Sequence, residues 1–295
     1  MKILLTGASG FLGAVIKKVL HAHEMITLGR SGQDINVDLS KKIPVLPCVD
    51  MVIHAAGKAH IVPKTDDERA DFFNVNVAGT KNLLEGFVGQ PMPRSFIFIS
   101  SVAVYGLSEG TMIREDFPLN ATDPYGRSKI EAEKIVSEWA TKNNIVLTIL
   151  RLPLIAAPSP PGNLGAMIKG IAKGYYFNVK GNDAKKSIVL AADVAAIIPQ
   201  AADIGGTYNL TDNYHPSFSE MSYLIADQLK KSRPTLISYG LILVLAKIGN
   251  LFGPNMPLTN NKLKKIISTL TFDDSSAVEK LGWRPRRVLD EFRIR

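Results

Sequence analysis

MKILLTGASGFLG, residues 1–13, sets an apolar run directly against a glycine-rich loop. The run Lys2–Thr6 reads as a strand, and residues 11–21 read as a helix, with Leu12, Val15, Ile16, Val19 and Leu20 at three- and four-residue steps. Between them lies GASGFLG, residues 7–13. Gly7 permits a tight turn, Gly10 lets the backbone approach a pyrophosphate, and Gly13 lets helix and strand pack closely. With Ser9, Phe11 and Leu12, they place the free N–H groups of a helix start where a dinucleotide's phosphates would sit. An ordinary strand–helix turn is the plainer reading of the same residues.

The alternation continues outward. Residues 25–28, 51–54, 96–100 and 145–151 read as short apolar strands, and 72–87 and 125–142 as helices. This pattern predicts an α/β protein: a Rossmann-type, doubly wound parallel sheet with helices on both faces. After Arg151 the texture changes. PLIAAPSPPGN, residues 153–163, carries four prolines and reads as a loop. Beyond it, helices over 164–173, 193–201 and 218–231 and strands over 188–190 and 206–210 suggest a smaller α/β substrate-binding region. The expected division is 1–155, mainly dinucleotide-binding, and 156–295, mainly substrate-binding, with 188–210 returning to the first.

Composition narrows the function. One cysteine, Cys48, rules out a disulfide framework and fits a reducing cytoplasm. His21, His23, His54, His60 and His215 lack metal-ligand spacing and read as surface or satisfied core residues. The first apolar run is too short for a signal peptide, and no stretch is long enough to span a bilayer. The apolar stretch 241–246, extended to Ile248, Leu251 and Phe252, reads as a packed helix. The net charge of +8 is crowded toward the end, at Lys262, Lys264, Lys265, Arg284, Arg286, Arg287, Arg293 and Arg295. It suits an anionic partner, such as a sugar diphosphate, a pyrophosphate cofactor or, weakly, an acidic membrane surface. No basic-plus-aromatic motif points to nucleic acid.

The end of the second strand selects the cofactor. An NAD site places an acid there to bond the ribose 2′-hydroxyl. This chain has Arg30 and Ser31, which suit the 2′-phosphate of NADP, with NAD as the alternative. Arg30 stacked on adenine is a second reading. Asp38, with Leu39 beside it, is a candidate for the adenine side, and helix capping is its other reading.

Tyr125 and Lys129 are four residues apart on a predicted helix and so share one face. A tyrosine is a poor base at neutral pH, and a nearby ammonium favours its phenolate. Such a pair can exchange a hydroxyl proton while a hydride moves to or from a nicotinamide. Residues 99–106, ISSVAVYG, supply two candidate serines and a second tyrosine.

GASGFLG, VIHAAG (52–57), NVAGTKNLLE (76–85), FISSVAVYG (98–106), DPYGRSKIEAE (123–133) and LGWRP (281–285) occur in that order. Together they resemble the extended short-chain dehydrogenase/reductase superfamily, the NAD(P)-dependent nucleotide-sugar epimerases, dehydratases and ketoreductases. The resemblance is strongest to bacterial 4-epimerases and 4-ketoreductases of surface polysaccharide synthesis, including a branch acting on polyprenyl-diphosphate-linked N-acetylhexosamine. It implies a catalytic triad of Ser101, Tyr125 and Lys129. It places Ser100, Ala55, Ala56 and Gly57 near the cofactor and makes Asn76 a buried support of the sheet. Tyr105 becomes at most a substrate contact in a mobile strand-end loop. A homodimer is implied as well.

Two departures matter. The dehydratases carry an Asp-Glu pair where this chain has Val102-Ala103, so dehydration is not expected. The diphosphate-binding asparagine of the family is Leu154 here, and its Tyr-Gly pair is Ala156-Ala157. Asn163 and Lys186 remain as substrate contacts that the resemblance implies, with ordinary loop residues as the alternative. The expected chemistry is hydride transfer at C4 of an activated sugar carried on a nucleotide or lipid diphosphate. A one-way NADPH ketoreductase is the alternative within the family, and a non-catalytic NADP-binding scaffold is the alternative outside it. The expected location is the cytoplasm, with contact to the inner membrane.

Overall fold

The strand–loop–helix at the start is present: β1 (Lys2–Thr6) runs through the glycine loop into α1 (Phe11–Val19). The computed structural model describes residues 1–59, 61–251 and 260–294, and the side chains of 245, 248–251, 261 and 262 also lie outside the description. His60, Phe252, Arg295 and the side chains of Ile248, Leu251 and Lys262 therefore fall outside the described residues.

Five further strands join β1: β2 (Glu24–Gly29), β3 (Ile35–Asn36), β4 (Met51–His54), β5 (Ser95–Ser101) and β6 (Val146–Leu152). A seventh, β7 (Gly206–Asn209), comes from far along the chain. All pairings are parallel and the order is β7-β6-β5-β4-β1-β2-β3. Strand order reverses at β1, so a crevice opens between the carboxyl ends of β1 and β4, where ligands bind in such sheets. Alternation along the strands feeds two cores. Ile3, Leu5, Ile97 and Ile99 pack toward α1, while Leu4, Val52, Phe96 and Phe98 pack on the opposite side.

The helix expected from residue 72 starts earlier. α2 (Asp66–Phe73) begins with Thr65, whose Oγ1 accepts the Glu68 N–H. Its first turns are polar, so apolar periodicity could not reveal them; the Thr-x-x-Glu spacing was the available signal. A π-helical turn, Asn74–Ala78, leads from α2 into α3 (Gly79–Glu85).

The proline-rich stretch after Arg151 is not wholly a loop. Leu154–Ala156 forms a strand paired in parallel with Ile188–Leu190. A partner 34 residues away leaves no local trace, and the flanking prolines mask the apolar triplet. Two more small parallel pairs join distant segments: Gly110–Ile113 with Leu270–Phe272, and Phe177–Val179 with Thr235–Ile237.

The helix α4 (Pro124–Asn143) is capped by Asp123, whose side chain accepts the Gly126 N–H. It lies against β5 and β6. Glu133 on α4 and Arg151 on β6 form an ion pair of 2.8 Å, and both are buried. Arg151 also donates to Tyr105 Oη at 3.1 Å and to the Glu115 carbonyl at 2.9 Å. Tyr105 donates to Asn209 at 2.8 Å and stacks on Phe272. It is fully buried, so it is a core residue and not a contact in a mobile loop.

Removing one partner of a buried pair strands the other charge. Arg151→Met should lower unfolding free energy by about 3–5 kcal/mol in urea titrations. Tyr105→Phe, which loses only hydroxyl bonds, should cost about 1 kcal/mol.

Candidate functional site

The glycine loop closes on itself. Gly7 has φ of 74°, and a Cβ there would lie 2.6 Å from Ala56 N. A Cβ on Gly13 would lie 2.0 Å from Gly7 O. Any side chain at either position would push α1 or the β4 loop away. Gly10 caps α1 without a side chain, and the first turn carries no acid. The N–H groups there are unobstructed and bear the helix's positive end, a fit for a pyrophosphate. Ser9 and Gly10 are exposed, Phe11 is half-buried, and Leu12 is buried against the sheet.

Hydrogen bonds fix the β1–β4 junction. Thr6 Oγ1 lies 2.6 Å from His54 Nδ1 and accepts the Ala56 N–H at 3.1 Å. The other His54 nitrogen lies 2.9 Å from Thr80 Oγ1. His54 is a satisfied core histidine, held neutral by burial that brings its pKa down to about 3, with the Lys129 charge adding to the effect. This places Ala55, Ala56 and Gly57 along the crevice.

Arg30 and Ser31 are exposed at the end of β2. Asp38 lies close enough for the Arg30 charge to help lower its pKa, after its bonds to Ser40. Asp38 Oδ1 accepts both the Ser40 N–H and hydroxyl, so its capping role is realised in a turn. Leu39 is buried, and its carbonyl accepts from Asn82 at 2.7 Å. The first acid after β2, Asp34, accepts the N–H and hydroxyl of Thr27, each at 2.8 Å. Both bonds engage the same oxygen, Oδ2, and tie the carboxylate back to the strand.

Ser101 ends β5, and its hydroxyl accepts the Ala103 N–H at 3.2 Å. It also lies close enough to the Tyr125 phenol to draw the Tyr125 pKa down; burial, the larger effect, holds that pKa above its usual value, and Asp123 adds to the rise. Lys129, one turn further along α4, donates to the Ile99 carbonyl at 2.8 Å and sits 4.7 Å from the Phe98 ring centroid. It is turned to β5, and burial brings its own pKa down to about 8, against an upward pull from Glu133. Gly57 lies over both Lys129 and Asn76: a Cβ there would be 3.1 Å from Asn76 Oδ1 and 3.5 Å from Lys129 Nζ.

Ser100 needs correction. Its hydroxyl donates to Glu133 and is buried at 3% exposure, so its side chain belongs to the Glu133–Arg151 pair and not to a cofactor. Adjacent strand residues face opposite ways, which separates it from Ser101. Asn76, on the π-helical turn, accepts the Lys58 N–H at 2.7 Å and donates to Ser128 Oγ at 2.9 Å. Thr6, Thr80, Ser128, Glu133 and Arg151 support the site without having been singled out for it. Each bonds a residue 18 or more positions away, while Thr80 also bonds the nearby Asn76 carbonyl and Ser128 the nearby Tyr125 carbonyl.

Lys186 lies in a small apolar pocket with Leu154, Leu164, Met167, Phe218 and Met221. It donates to the Ser268 carbonyl at 2.6 Å, and burial, aided by Lys265, brings its pKa down to about 8. Asn163 is exposed in the first turn of the helix Gly162–Ala172, one residue before Leu164 of that pocket.

A model of the NAD dependent epimerase/dehydratase family matches residues 3–210. The UDP-glucose 4-epimerase of Vibrio cholerae is 29% identical over 320 aligned residues, covering 98% of this chain and 92% of that protein. An Escherichia coli O157:H7 protein, N-acetyl-alpha-D-glucosaminyl-diphospho-ditrans,octacis-undecaprenol 4-epimerase, is 26% identical over 292 residues, covering 92% and 87%. The solved UDP-glucose 4-epimerase of Thermotoga maritima, with UDP-glucose, has the same fold at a TM-score of 0.74 and 19% identity, covering 99% and 96%.

The buried Lys129 has a pH signature. Its folded pKa of about 8 lies below the ordinary 10.5. Between these values the unfolded chain holds a proton that the folded chain has released, so stability climbs as pH rises. Urea denaturation from pH 7 to 10.5 should show wild type gaining about 2–3 kcal/mol on Lys129→Met, which lacks the group.

Proposed function

The chain belongs to the NAD dependent epimerase/dehydratase family, and on that premise we propose that it is a 4-epimerase of an activated sugar. Ser101, Tyr125 and Lys129 form its catalytic centre. The observation that carries the reading is that Ser101 ends β5 close enough to the Tyr125 phenol to draw its pKa down, with Lys129 buried one turn away. Bound nicotinamide supplies the acceptor and donor of the C4 hydride. Tyr125 exchanges the proton of the C4 hydroxyl, and Ser101 holds that hydroxyl and the phenol in line. Tyr125 takes that proton as hydride leaves C4 and returns it when the 4-keto group is reduced; burial holds its phenol pKa up, and a positive ring beside it would lower that pKa and favour the base role. Lys129 keeps an ammonium near the ribose side of the crevice. Val102 and Ala103 offer no group for a further proton transfer, which fits chemistry confined to C4.

The reading includes NADP as the preferred cofactor. Arg30 and Ser31 are exposed at the end of β2, and Asp34 is tied to Thr27. Asp38 and the backbone around Leu39 would line the adenine side, and the loop from Gly7 to Gly13 the pyrophosphate. The same cofactor features favour a second reading, a one-way NADPH-dependent 4-ketoreductase. Lys186, the one buried cation of its pocket, and Asn163 near the rim would contact the diphosphate of a nucleotide- or lipid-linked sugar, in surface polysaccharide synthesis. A homodimer and a place at the inner face of the membrane complete the proposal.

Cofactor extracted from the purified protein tests it. Tightly held dinucleotide, with conversion of a UDP-hexose to its C4 epimer and no net cofactor consumption, supports the epimerase. Stoichiometric loss of NADPH with a 4-keto sugar supports the reductase instead.

Tyr125→Phe should reduce turnover by about 10²–10⁴-fold with cofactor binding retained; unchanged turnover would point to a scaffold. Arg30→Ala should weaken NADPH binding about tenfold by fluorescence titration and leave NADH unchanged, as loss of one charge-assisted contact predicts.

A further inference from the structure

Residues 229–267 hold seven lysines and arginines and no aspartate or glutamate. Setting those seven aside leaves 28 basic residues against 27 acidic ones, so this segment carries nearly the whole net charge of +8. It begins after the helix Phe218–Gln228 and includes the strand Thr235–Ile237 and two helices, Tyr239–Leu251 and Asn260–Ile267.

The first of these helices is apolar on two sides. Ile242 and Ala246 are fully buried in a small cluster with Val179 and Leu263. Leu241 and Val244, three residues apart, are each 53% exposed, and Tyr239 and Leu236 beside them are 48% and 53% exposed. Lys230, Lys231, Arg233, Lys247, Lys264 and Lys265 of the same segment are exposed as well. Two acids from outside the segment reach it: Asp227 lies 3.9 Å from Arg233, and Glu109 lies 3.7 Å from Lys264.

We propose that the strand Thr235–Ile237 and the helices Tyr239–Leu251 and Asn260–Ile267 form a docking surface for an anionic lipid bilayer. Exposed aliphatic side chains on a segment of exposed lysines and no acids match the interfacial side of a membrane, where the aliphatics enter the headgroup boundary and the cations meet lipid phosphates. A polyanion such as nucleic acid would use the lysines but gain nothing from Leu241 and Val244. Among the described residues no helix is long and apolar enough to cross a membrane, and the docking proposed is to the bilayer surface. The Asn260–Ile267 helix ends at Ser268, whose carbonyl accepts from Lys186 in the apolar pocket. The docked face is thus joined to the pocket assigned to the diphosphate. The proposal deepens the lipid-linked branch of the function above, but docking itself does not depend on catalysis.

Vesicle flotation tests it. Wild-type protein should float with vesicles of 30% phosphatidylglycerol in phosphatidylcholine at 0.1 M salt. It should lose at least tenfold of that binding at 0.5 M salt or on pure phosphatidylcholine. The triple variant Lys230→Glu/Lys231→Glu/Lys247→Glu and the pair Leu241→Ser/Val244→Ser should each bind at least tenfold more weakly. Melting temperature and turnover of a water-soluble nucleotide sugar should stay unchanged in both variants. Failure of wild type to float at low salt overturns the proposal. So does full binding by the serine pair, which would mark a simple polyanion site, or conversion of a dimer to a monomer by that pair, which would mark a subunit interface. If flotation succeeds and no sugar is turned over, docking stands and the catalytic reading falls.

Discussion

Three backbone segments meet at Gly7 with no room for a side chain. The loop after β1, the first turn of α1 and the turn after β4 approach so closely that a Cβ on Gly7 or Gly13 would overlap backbone atoms. That contact fixes the angle at which α1 leaves the sheet and keeps its N-terminus bare. Thr6, His54 and Thr80 extend the constraint inward as a buried hydrogen-bonded line, joining β1, β4 and α3. The crevice between β1 and β4 therefore has fixed walls before any ligand arrives.

The second wall is α4. Its N-terminus is held by Asp123, and three successive residues of its inner face then reach the core. Ser128 meets Asn76, Lys129 meets the Ile99 carbonyl, and Glu133 meets Ser100 and Arg151. Two of these residues carry charge at buried positions, which is costly unless each is paired. Glu133 has Arg151, whereas Lys129 has a carbonyl, an aromatic face and a weaker pull from Glu133. Burial accordingly lowers the Lys129 pKa, one turn of α4 from the tyrosine of the proposed chemistry.

Away from the crevice the surroundings of Lys186 are apolar. Leu154–Ala156 forms an apolar strand paired with Ile188–Leu190. Lys186 is the buried cation of an otherwise apolar pocket. The acid-free stretch 229–267 leads directly to Ser268, whose carbonyl accepts from Lys186.

The parts legible in the sequence were those carried by local periodicity and by residues whose spacing matches one structural unit. The strand–glycine loop–helix, the parallel alternation and the Tyr125–Lys129 face of α4 all depend on contacts within a turn or two. Combined motifs favoured Ser101 over Ser100, and strand alternation sets the two apart, since one serine faces Glu133 and the other ends near Tyr125. What only the tertiary structure decided rests on partners far apart in the chain. Tyr105 looked like a loop residue because Arg151, Asn209 and Phe272, which bury it, lie 46 or more residues away. The strand at 154–156 needed Ile188–Leu190 to exist. The protonation state of Lys129 was decided in the same way, by which atoms surround it, and a four-residue spacing to Tyr125 could not supply that environment.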